Sequence, residues 1–365
     1  MVKYEVRLEQ DLNRIHEEFS GMGQEVAASV KSAIQALLNG DEELANRTGI
    51  RDQIINRRLI QINRLCHNFT ARHLPAAGHL RRISSLLRLV NELERIGDYA
   101  VTICRETIHL SNPPKGPLRR NMELMSGLAR QMLENALEAY LNENNEQAKA
   151  VMGMAERVEM DLGEAFGDLV AQGEKRAEEI SDLLDMHTVF YMLERISDRA
   201  KNICEETLWV VSGEVKPEKR FSIIFLDDDN SCSGPMAEAL ARHGYPQMAE
   251  FFTASLNPCP SLHSGLKSYL GEANIPVPDH PPQGTIVMEE ALTNTDPILI
   301  DLRSTEQNQK MELPFHCFYF AWDLGAVPKD GGDLRTARSQ FMEMHRTLSM
   351  QLAELMDILV GGEEA

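Results

Sequence analysis

The fold is decided by a stretch that the chain contains twice. Residues 93–107 read LERIGDYAVTICRET, and residues 193–207 read LERISDRAKNICEET, with ten of the fifteen positions identical. In both copies the apolar residues recur every three or four positions, which is the period of one face of a helix. Repetition of one segment in two halves indicates a duplicated architecture. The sequence therefore predicts two copies of one helical unit.

Each copy also carries two carboxylates four residues apart, Glu94 with Asp98 and Glu194 with Asp198. On a helix this spacing puts the two side chains roughly 5–6 Å apart, on the face opposite the apolar stripe. One interpretation is a solvated helix face, because charged residues are mostly exposed. The other is a site for a hard metal ion, since oxygen ligands suit Mg²⁺, Ca²⁺, Mn²⁺ or iron. Retention of both pairs where neighbouring residues differ adds weight to the metal site.

The motif Glu-Arg-Ile-x-Asp on the last helix of a repeated three-helix unit resembles the PhoU family, whose members regulate bacterial phosphate uptake and signalling. The resemblance covers about residues 1–215 and implies two antiparallel three-helix bundles with metal ions, divalent or iron-type, on acidic faces. It also implies acids on the second helix of each set, where this chain has Asp52 and Glu159. Each predicted cluster lacks one acid, so one ion per site is as consistent with the sequence as a full cluster.

The same resemblance implies how the chain acts. It predicts a homodimer that restrains phosphate uptake and the phosphate-starvation response through protein contacts. The implied partners are the ATPase subunit of the phosphate ABC transporter and a phosphate-sensing histidine kinase. Contact with the membrane is expected only through these partners.

Composition limits the other classes of function. The 365 residues are 43% hydrophobic and 25% charged, with a formal net charge of −19. An acidic chain lacks the basic footprint that nucleic acid needs, although a local basic patch such as Arg57-Arg58 is compatible with it. The sequence has no apolar run of 18 residues and no secretory signal, so a cytoplasmic protein is expected. Its six scattered cysteines suggest free thiols.

Two domains are predicted. Residues 1–215 form the helical domain, with repeats at about 1–112 and 117–213, and residues 220–362 form an α/β domain. The expected helices of the first domain span 4–38, 42–70, 76–111, 118–140, 144–172 and 175–213. In the second domain, strands are expected at 221–226, 249–254, 298–302 and 315–322, and helices from Pro235 and at 260–273, 287–293 and 335–360. Alternation of strands and helices predicts a parallel sheet in a three-layer fold.

The segment after the first of these strands is similar to the phosphate-binding loop of low-molecular-weight protein tyrosine phosphatases and related arsenate reductases. Those enzymes use Cys-x5-Arg-Ser before Pro-Met-Ala-Glu, with the cysteine as nucleophile and the arginine on the oxyanion. Here Asp227 stands at the position of the nucleophile, Ser233 at that of the arginine and Gly234 at that of the serine, while Asn230 and Cys232 remain. The resemblance therefore implies a degenerate, inactive domain.

Two alternatives stay open for this loop. One is a scaffold or interaction domain that descends from an enzyme. The other uses the acids, because Asp227, Asp228 and Asp229 follow one strand and Asp301 ends another, at the sheet edge where such folds bind ligands. Four carboxylates at one edge would suit Mg²⁺.

Two hypotheses of function follow. The first is a cytoplasmic regulator of phosphate transport and signalling that acts through protein contacts. The alternative is an enzyme or small-molecule sensor, related to phosphatases or arsenate reductases, that acts through the C-terminal domain.

Overall fold

The computed structural model describes residues 2–175, 179–214, 221–284, 297–303, 317–328 and 334–360. The chain divides into two compact units, Met1–Lys216 and Pro217–Ala365. The first is helical and the second contains a parallel sheet with helices, so the predicted fold class is confirmed. In the described part of the chain, no helix combines the length and the apolar character that crossing a membrane requires.

Seven helices form the described part of the N-terminal unit. They are α1 (Val2–Asn39), α2 (Glu42–His73), α3 (Ala77–His109), α4 (Gly116–Leu141), α5 (Asn145–Met152), α6 (Ala155–Glu174) and α7 (Ile180–Ser212). Local chemistry sets several of their ends: Asp41 accepts a hydrogen bond from the Leu44 N–H at the start of α2. Helix α7 ends at Gly213, whose φ of +75° favours glycine.

All seven helices bury apolar residues in one continuous core. The repeated segments lie on α3 and α7, which pack directly against each other and so join the two repeats. The two helices run antiparallel, because Arg88 of α3 bonds Glu206 near the end of α7, whereas Ser111, just after α3, bonds Asp182 near its start. The predicted stripe is buried at Leu93, Ile96 and at the equivalent positions of α7.

One predicted helix of this unit is wrong in detail. Residues 144–172 were expected to form one helix, but the structure has α5 and α6, separated at Gly153 and Met154. Gly153 closes α5 by donating its N–H to the carbonyl of Lys149. The cost of glycine in a helix interior makes this a favourable place for a break.

The C-terminal unit alternates strands and helices as predicted. Its described elements are β1 (Phe221–Asp227), α8 (Ser233–Gly244), β2 (Ala249–Ser255), α9 (Ser264–Glu272), β3 (Pro297–Asp301), β4 (Phe318–Ala321) and α10 (Leu334–Val360). The sheet order is β2-β1-β3-β4, and every pair is parallel. The predicted helix at 287–293 lies outside the described residues.

Strand β1 lies in the middle of the sheet and is buried from Ser222 to Asp227. Asp227 at the end of β1 pairs in register with Ser255 of β2, and Leu226 pairs with Asp301 of β3. The carboxyl ends of these strands therefore meet at one edge, next to the start of α8. This edge is where ligands bind in open parallel sheets.

Candidate functional site

The first repeat gathers three of the predicted metal ligands. Burial, followed by the charge of Asp98, raises the pKa of both Asp52 and Glu94. The Asp52 charge also raises the pKa of Glu94, so the three carboxyl groups of α2 and α3 interact electrostatically. Asn56 donates a hydrogen bond of 2.8 Å to Oδ2 of Asp52. The buried Oδ1 atom of Asp52 has no hydrogen-bond partner among the described residues.

A glycine on α3 makes room for this arrangement. A β-carbon on Gly97 would lie 3.0 Å from Oδ1 of Asp52 and 3.1 Å from Cδ1 of Ile55. At the equivalent places of the second repeat the chain has Ser197 and Ala155. The second repeat therefore has the larger Ser197 in place of glycine, and it lacks the carboxylate that a larger residue would crowd.

The second repeat holds its acids differently. Glu194 is half-buried, and burial, followed by the charge of Asp198, raises its pKa to about 7. Arg195 reaches both carboxylates, with Nε 3.5 Å from Oε2 of Glu194 and Nη1 3.4 Å from Oδ2 of Asp198. Its guanidinium lies 4.7 Å above the ring of Tyr191 and donates a hydrogen bond to the phenol oxygen. A cation supplied by the protein therefore contacts this acidic pair.

The matching arginine of the first repeat points elsewhere. Nη1 of Arg95 lies 3.6 Å from Oε1 of Glu92, not at the carboxylates of Glu94 and Asp98. Position 91, which is equivalent to Tyr191, is an asparagine and offers no aromatic ring to hold the guanidinium. The two motifs are alike in sequence, but in the second one the arginine contacts both acids and a neighbouring ring.

The four repeated acids differ in their exposure to solvent. Asp98 is exposed, but Glu94, Glu194 and Asp198 are only partly exposed. The reason is that α3 and α7 are each packed by more than one neighbour, so that their second face is also covered in part. Glu159, the predicted acid of α6, is exposed, although its charge still contributes to the raised pKa of Glu194.

Sequence reasoning missed a further cluster at the junction of the repeats. Glu106 and His109 of α3 and Asp185 of α7 each offer a ligand atom, and the three atoms lie within 4.8 Å of one another in the described part of the chain. Burial, followed by a hydrogen bond with Asp185, raises the pKa of Glu106. The cluster combines residues of two helices, and His109 and Asp185 are 76 residues apart in sequence. Periodicity within one helix therefore could not predict it.

The loop between β1 and α8 of the C-terminal unit binds one of its own carboxylates. Asp227 is buried, with Oδ2 accepting the N–H of Gly234 and Oδ1 that of Asp228, each at 2.8 Å. Burial raises its pKa to about 6, against these two hydrogen bonds. The N-terminus of a helix ordinarily favours an external anion. Here the carboxylate of Asp227, at the end of β1, accepts a backbone N–H from the first turn of α8.

The other predicted loop residues are also buried. Asn230, at φ +57°, donates through Nδ2 to Oγ1 of Thr253 at 3.0 Å. A β-carbon on Gly234 would lie 2.8 Å from Oδ1 of Asn230, so glycine is needed there. Cys232 and Ser233 are 2% and 1% exposed, which leaves neither open to solvent as a reactive group.

The predicted magnesium ligand on β3 is already paired. Arg303 bonds both oxygens of Asp301, with Nε 3.0 Å from Oδ1 and Nη2 2.7 Å from Oδ2. Tyr319 donates a further hydrogen bond to Oδ2 at 3.0 Å. Although burial opposes it, bonding to Arg303 and Tyr319 holds the pKa of Asp301 below its usual value. Arg303, two residues beyond the end of β3, thus places a guanidinium group at this edge of the sheet.

Comparison with known proteins shows relatives of the helical unit. The PhoU domain model matches residues 19–107 and 122–207. A phosphate-specific transport system accessory protein PhoU homologue from Pseudomonas putida is 31% identical over 205 residues, which are 56% of this chain and 80% of the relative. Its Escherichia coli counterpart is 28% identical over 204 residues, or 56% and 85% of the two chains.

Two solved structures also align with parts of the chain. The crystal structure of PhoU from Pseudomonas aeruginosa has 30% identity and a TM-score of 0.54, and the match covers 56% of this chain and 99% of that one. A thioredoxin-dependent arsenate reductase from Corynebacterium glutamicum also aligns, at 16% identity and a TM-score of 0.33, over 46% of this chain and 77% of that one. Both copies of the repeated motif fall inside the two matched segments, and on the strength of these relatives the chain belongs to the PhoU family.

Proposed function

We propose that this chain regulates phosphate transport and phosphate signalling, restraining both through protein contacts. The observation that carries the proposal is the duplicated helical unit, over which the chain matches the PhoU domain model and phosphate-specific transport accessory proteins. The partners we infer are the ATPase subunit of the phosphate ABC transporter and a phosphate-sensing histidine kinase. The chain would act in the cytoplasm as a homodimer and approach the membrane through these partners.

Complementation tests the regulatory role. The full chain is expressed in a strain that lacks its own PhoU protein and in which a phosphate-starvation reporter is therefore active in rich phosphate. We expect the reporter to be silenced, and the tagged chain to retain the ATPase subunit or the kinase on affinity purification. An active reporter despite normal expression, together with no retained partner, would refute the proposal.

We further infer that the first repeat holds a divalent or iron-type cation. Asp52, Glu94 and Asp98 supply oxygen donors of the kind that such ions prefer. The buried Oδ1 of Asp52 has no hydrogen-bond partner among the described residues, which suits an atom reserved for an ion. The ion would neutralise three carboxylates, among which the charge of Asp98 raises the pKa of both Asp52 and Glu94. In the second repeat, the Arg195 guanidinium already contacts both acids, so a weaker site is expected there.

Two matched variants separate these sites. Glu94→Ala with Asp98→Ala removes the first pair, and Glu194→Ala with Asp198→Ala removes the second. A bound ion stabilises the folded state by mass action, so Mn²⁺ or Fe²⁺ should raise the melting temperature of the parent and of the second variant, but not of the first. Elemental analysis should show metal in the same two proteins. Equal responses of the two variants would contradict a preference for the first repeat.

For the C-terminal unit we propose a catalytically inactive role as a scaffold or interaction domain. The position of the nucleophile is occupied by Asp227, whose two oxygens accept backbone N–H groups that would otherwise face an anion. The position of the arginine is occupied by Ser233, which is buried. A thiolate and a cation on the oxyanion are the groups that this chemistry needs, and neither stands at its place in the loop.

A further inference from the structure

An unusual concentration of positive charge lies on the first repeat, in a groove between α1 and α2. The groove has a volume of about 480 Å³, and its lining includes Arg14 of α1 and Arg57, Arg64 and Arg72 of α2. We call it the arginine groove. In a chain with a net charge of −19, four arginines around one cavity call for an explanation.

Helix geometry explains how the arginines come together. Arg57, Gln61, Arg64, Asn68 and Arg72 follow one another at intervals of three or four residues and all line the groove. They form a continuous polar ridge on α2. At a rise of about 1.5 Å per residue, the ridge extends for roughly 22 Å from Arg57 to Arg72. The ridge is therefore too long for one small anion such as orthophosphate to contact its whole length.

The charge of the groove is largely uncompensated. Within the part of the chain that the structure describes, Arg14, Arg57 and Arg64 have no carboxylate within 4.0 Å, and all three are exposed. The acid in the lining is Asp11, whose Oδ2 lies 2.9 Å from Nε2 of His73 and 3.9 Å from Nη1 of Arg72. Four guanidinium groups and one carboxylate leave about three positive charges facing the cavity.

The second repeat shows that the fold does not require this charge. The two matched segments begin at residues 19 and 122, an offset of 103. At this offset Arg57 corresponds to Met160 and Arg64 corresponds to Gly167. The same helix face therefore lacks the two central arginines in the other copy. Because one bundle is built with them and one without them, their presence in the first repeat points to binding.

We propose that the arginine groove binds an oligophosphate, a ligand with a chain of about three phosphate groups, either free or as part of a nucleotide. Guanidinium groups match phosphate oxygens in paired hydrogen bonds, which favours phosphate as the recognised group. The groove volume falls in the range of small-molecule sites. Beneath the charged rim lie Ile15, Leu65 and Phe69, which offer an apolar floor.

A compact ligand fits the charge of the whole chain better than a long polyanion does. Electrostatic interactions decay over about 8 Å at physiological ionic strength, so a ligand confined to the groove experiences mainly the local arginines. A long polyanion would extend into the field of a chain whose net charge is −19. This inference does not depend on the proposed regulatory role, because it concerns binding by the purified chain.

The test is a titration of the full chain with tripolyphosphate and with ATP, in EDTA so that the acidic sites hold no metal. Orthophosphate and a short poly-glutamate peptide serve as comparison anions. The variant is Arg57→Gln with Arg64→Gln, and the matched control is Arg51→Gln, which changes an exposed arginine of α2 that does not line the groove. All three substitutions affect exposed side chains, so the variants should fold.

We expect tripolyphosphate to raise the melting temperature and to bind at least tenfold less tightly to the double variant, with the control unchanged. Equal affinity for ATP would mean that the phosphates alone are recognised, and tighter binding of ATP would add its nucleoside; both support the proposal. It is overturned if neither oligophosphate binds at millimolar concentration, or if the double variant binds as well as the parent. Poly-glutamate binding as tightly as tripolyphosphate would also overturn it, in favour of an acidic protein segment.

Discussion

Asp52 of α2 and Gly97 of α3 are in such close contact that a β-carbon on Gly97 would lie 3.0 Å from the Asp52 carboxylate. Gly97→Ala therefore combines two opposed effects. Alanine favours the helix by about 1 kcal/mol, whereas crowding against Asp52 and Ile55 costs roughly 1–3 kcal/mol. We expect Gly97→Ala to be neutral or destabilising in the parent and less destabilising once Asp52→Ala is also present, because only the contact with Ile55 then remains. Denaturant unfolding of the double-mutant cycle should give a coupling of at least about 0.5 kcal/mol. Additive effects would mean that the contact does not matter.

Replacing Arg195 should make the second acidic pair, Glu194 and Asp198, available to a metal ion. Without the guanidinium, Glu194 and Asp198 lose the cation that now contacts both of them. We expect Arg195→Gln, introduced into the Glu94→Ala and Asp98→Ala variant, to restore stabilisation by Mn²⁺. The measurement is the melting temperature with and without the ion. Lys201→Gln, a half-buried cation elsewhere on α7, is the control that should restore nothing.

Asp227 should make the C-terminal unit less stable as pH rises from about 4 to 6. In this window the unfolded carboxyl releases its proton, whereas the folded one, with its pKa raised to about 6, retains it. The free energy of unfolding thus falls by about 2–3 kcal/mol across the window and then stays level. Asp227→Asn should remove this slope, and Asp229→Asn, which removes only a lesser contribution to the pKa of Asp227, should keep most of it.

The chain provides a clean probe for that measurement. It has two tryptophans, Trp209 in the helical unit and Trp322 in the C-terminal unit. Trp322 is 9% exposed, with its ring 6.4 Å from that of Phe225. In a Trp209→Phe background, fluorescence therefore follows the unfolding of the C-terminal unit. An unchanged slope in Asp227→Asn would show that other groups cause the pH dependence.

The purified chain should neither hydrolyse aryl phosphates nor reduce arsenate. The loop supplies a buried carboxylate bonded to backbone N–H groups instead of a thiolate, and a buried serine instead of an arginine. Loss of both groups removes most of the rate enhancement of such a site. The assay is release of nitrophenol, measured against buffer. Turnover that disappears in Asp227→Ala would restore the hypothesis of an enzyme.

The helical unit should fold without the rest of the chain. Among the residues that the structure describes, its buried core is contributed by residues up to Cys204, and the cores of the second unit begin at Ile223. We expect a fragment of residues 1–216 to unfold cooperatively, at the same denaturant midpoint as the helical unit of the full chain. Trp209 reports both transitions when Trp322→Phe is introduced into the full chain. A much lower midpoint for the fragment would mean that the C-terminal unit stabilises the helices.

Periodicity was sufficient to predict most elements, because each is defined by a stripe of residues close in sequence. It predicted α1 to α4 and α7, and it placed β1 to β3 within two residues. It missed the break at Gly153, because the apolar stripe on either side gives no sign of it. Helix bounds such as that of α9, predicted from 260 but observed from Ser264, differ by the usual few residues.

The sites were harder to predict, since they depend on contacts that sequence spacing does not encode. The two motifs are nearly identical, yet Arg195 turns to the acids beside it and Arg95 turns away. Arg195 also contacts the ring of Tyr191, which lies one helical turn away and outside the motif, whereas position 91 is an asparagine. Similarly, the substitution at Asp227 predicted a lost nucleophile, but only the structure shows its carboxylate bonded to Gly234.

The bonds between the two repeats differ on the two sides of their junction. Arg88 of α3 donates two hydrogen bonds to Glu206 of α7, at 2.6 and 2.8 Å, and so links the two repeats on one side of their junction. On the opposite side the equivalent positions are Thr188 and Glu106, so the second copy of this bond is absent. Glu106, without its arginine, instead meets Asp185.

The first half thus carries both members of the pair, whereas the second carries only the acid. Two first halves arranged about a two-fold axis could form an Arg88–Glu106 bond twice, whereas two second halves could form none. The two halves are therefore complementary parts rather than interchangeable copies, like the subunits of a heterodimer.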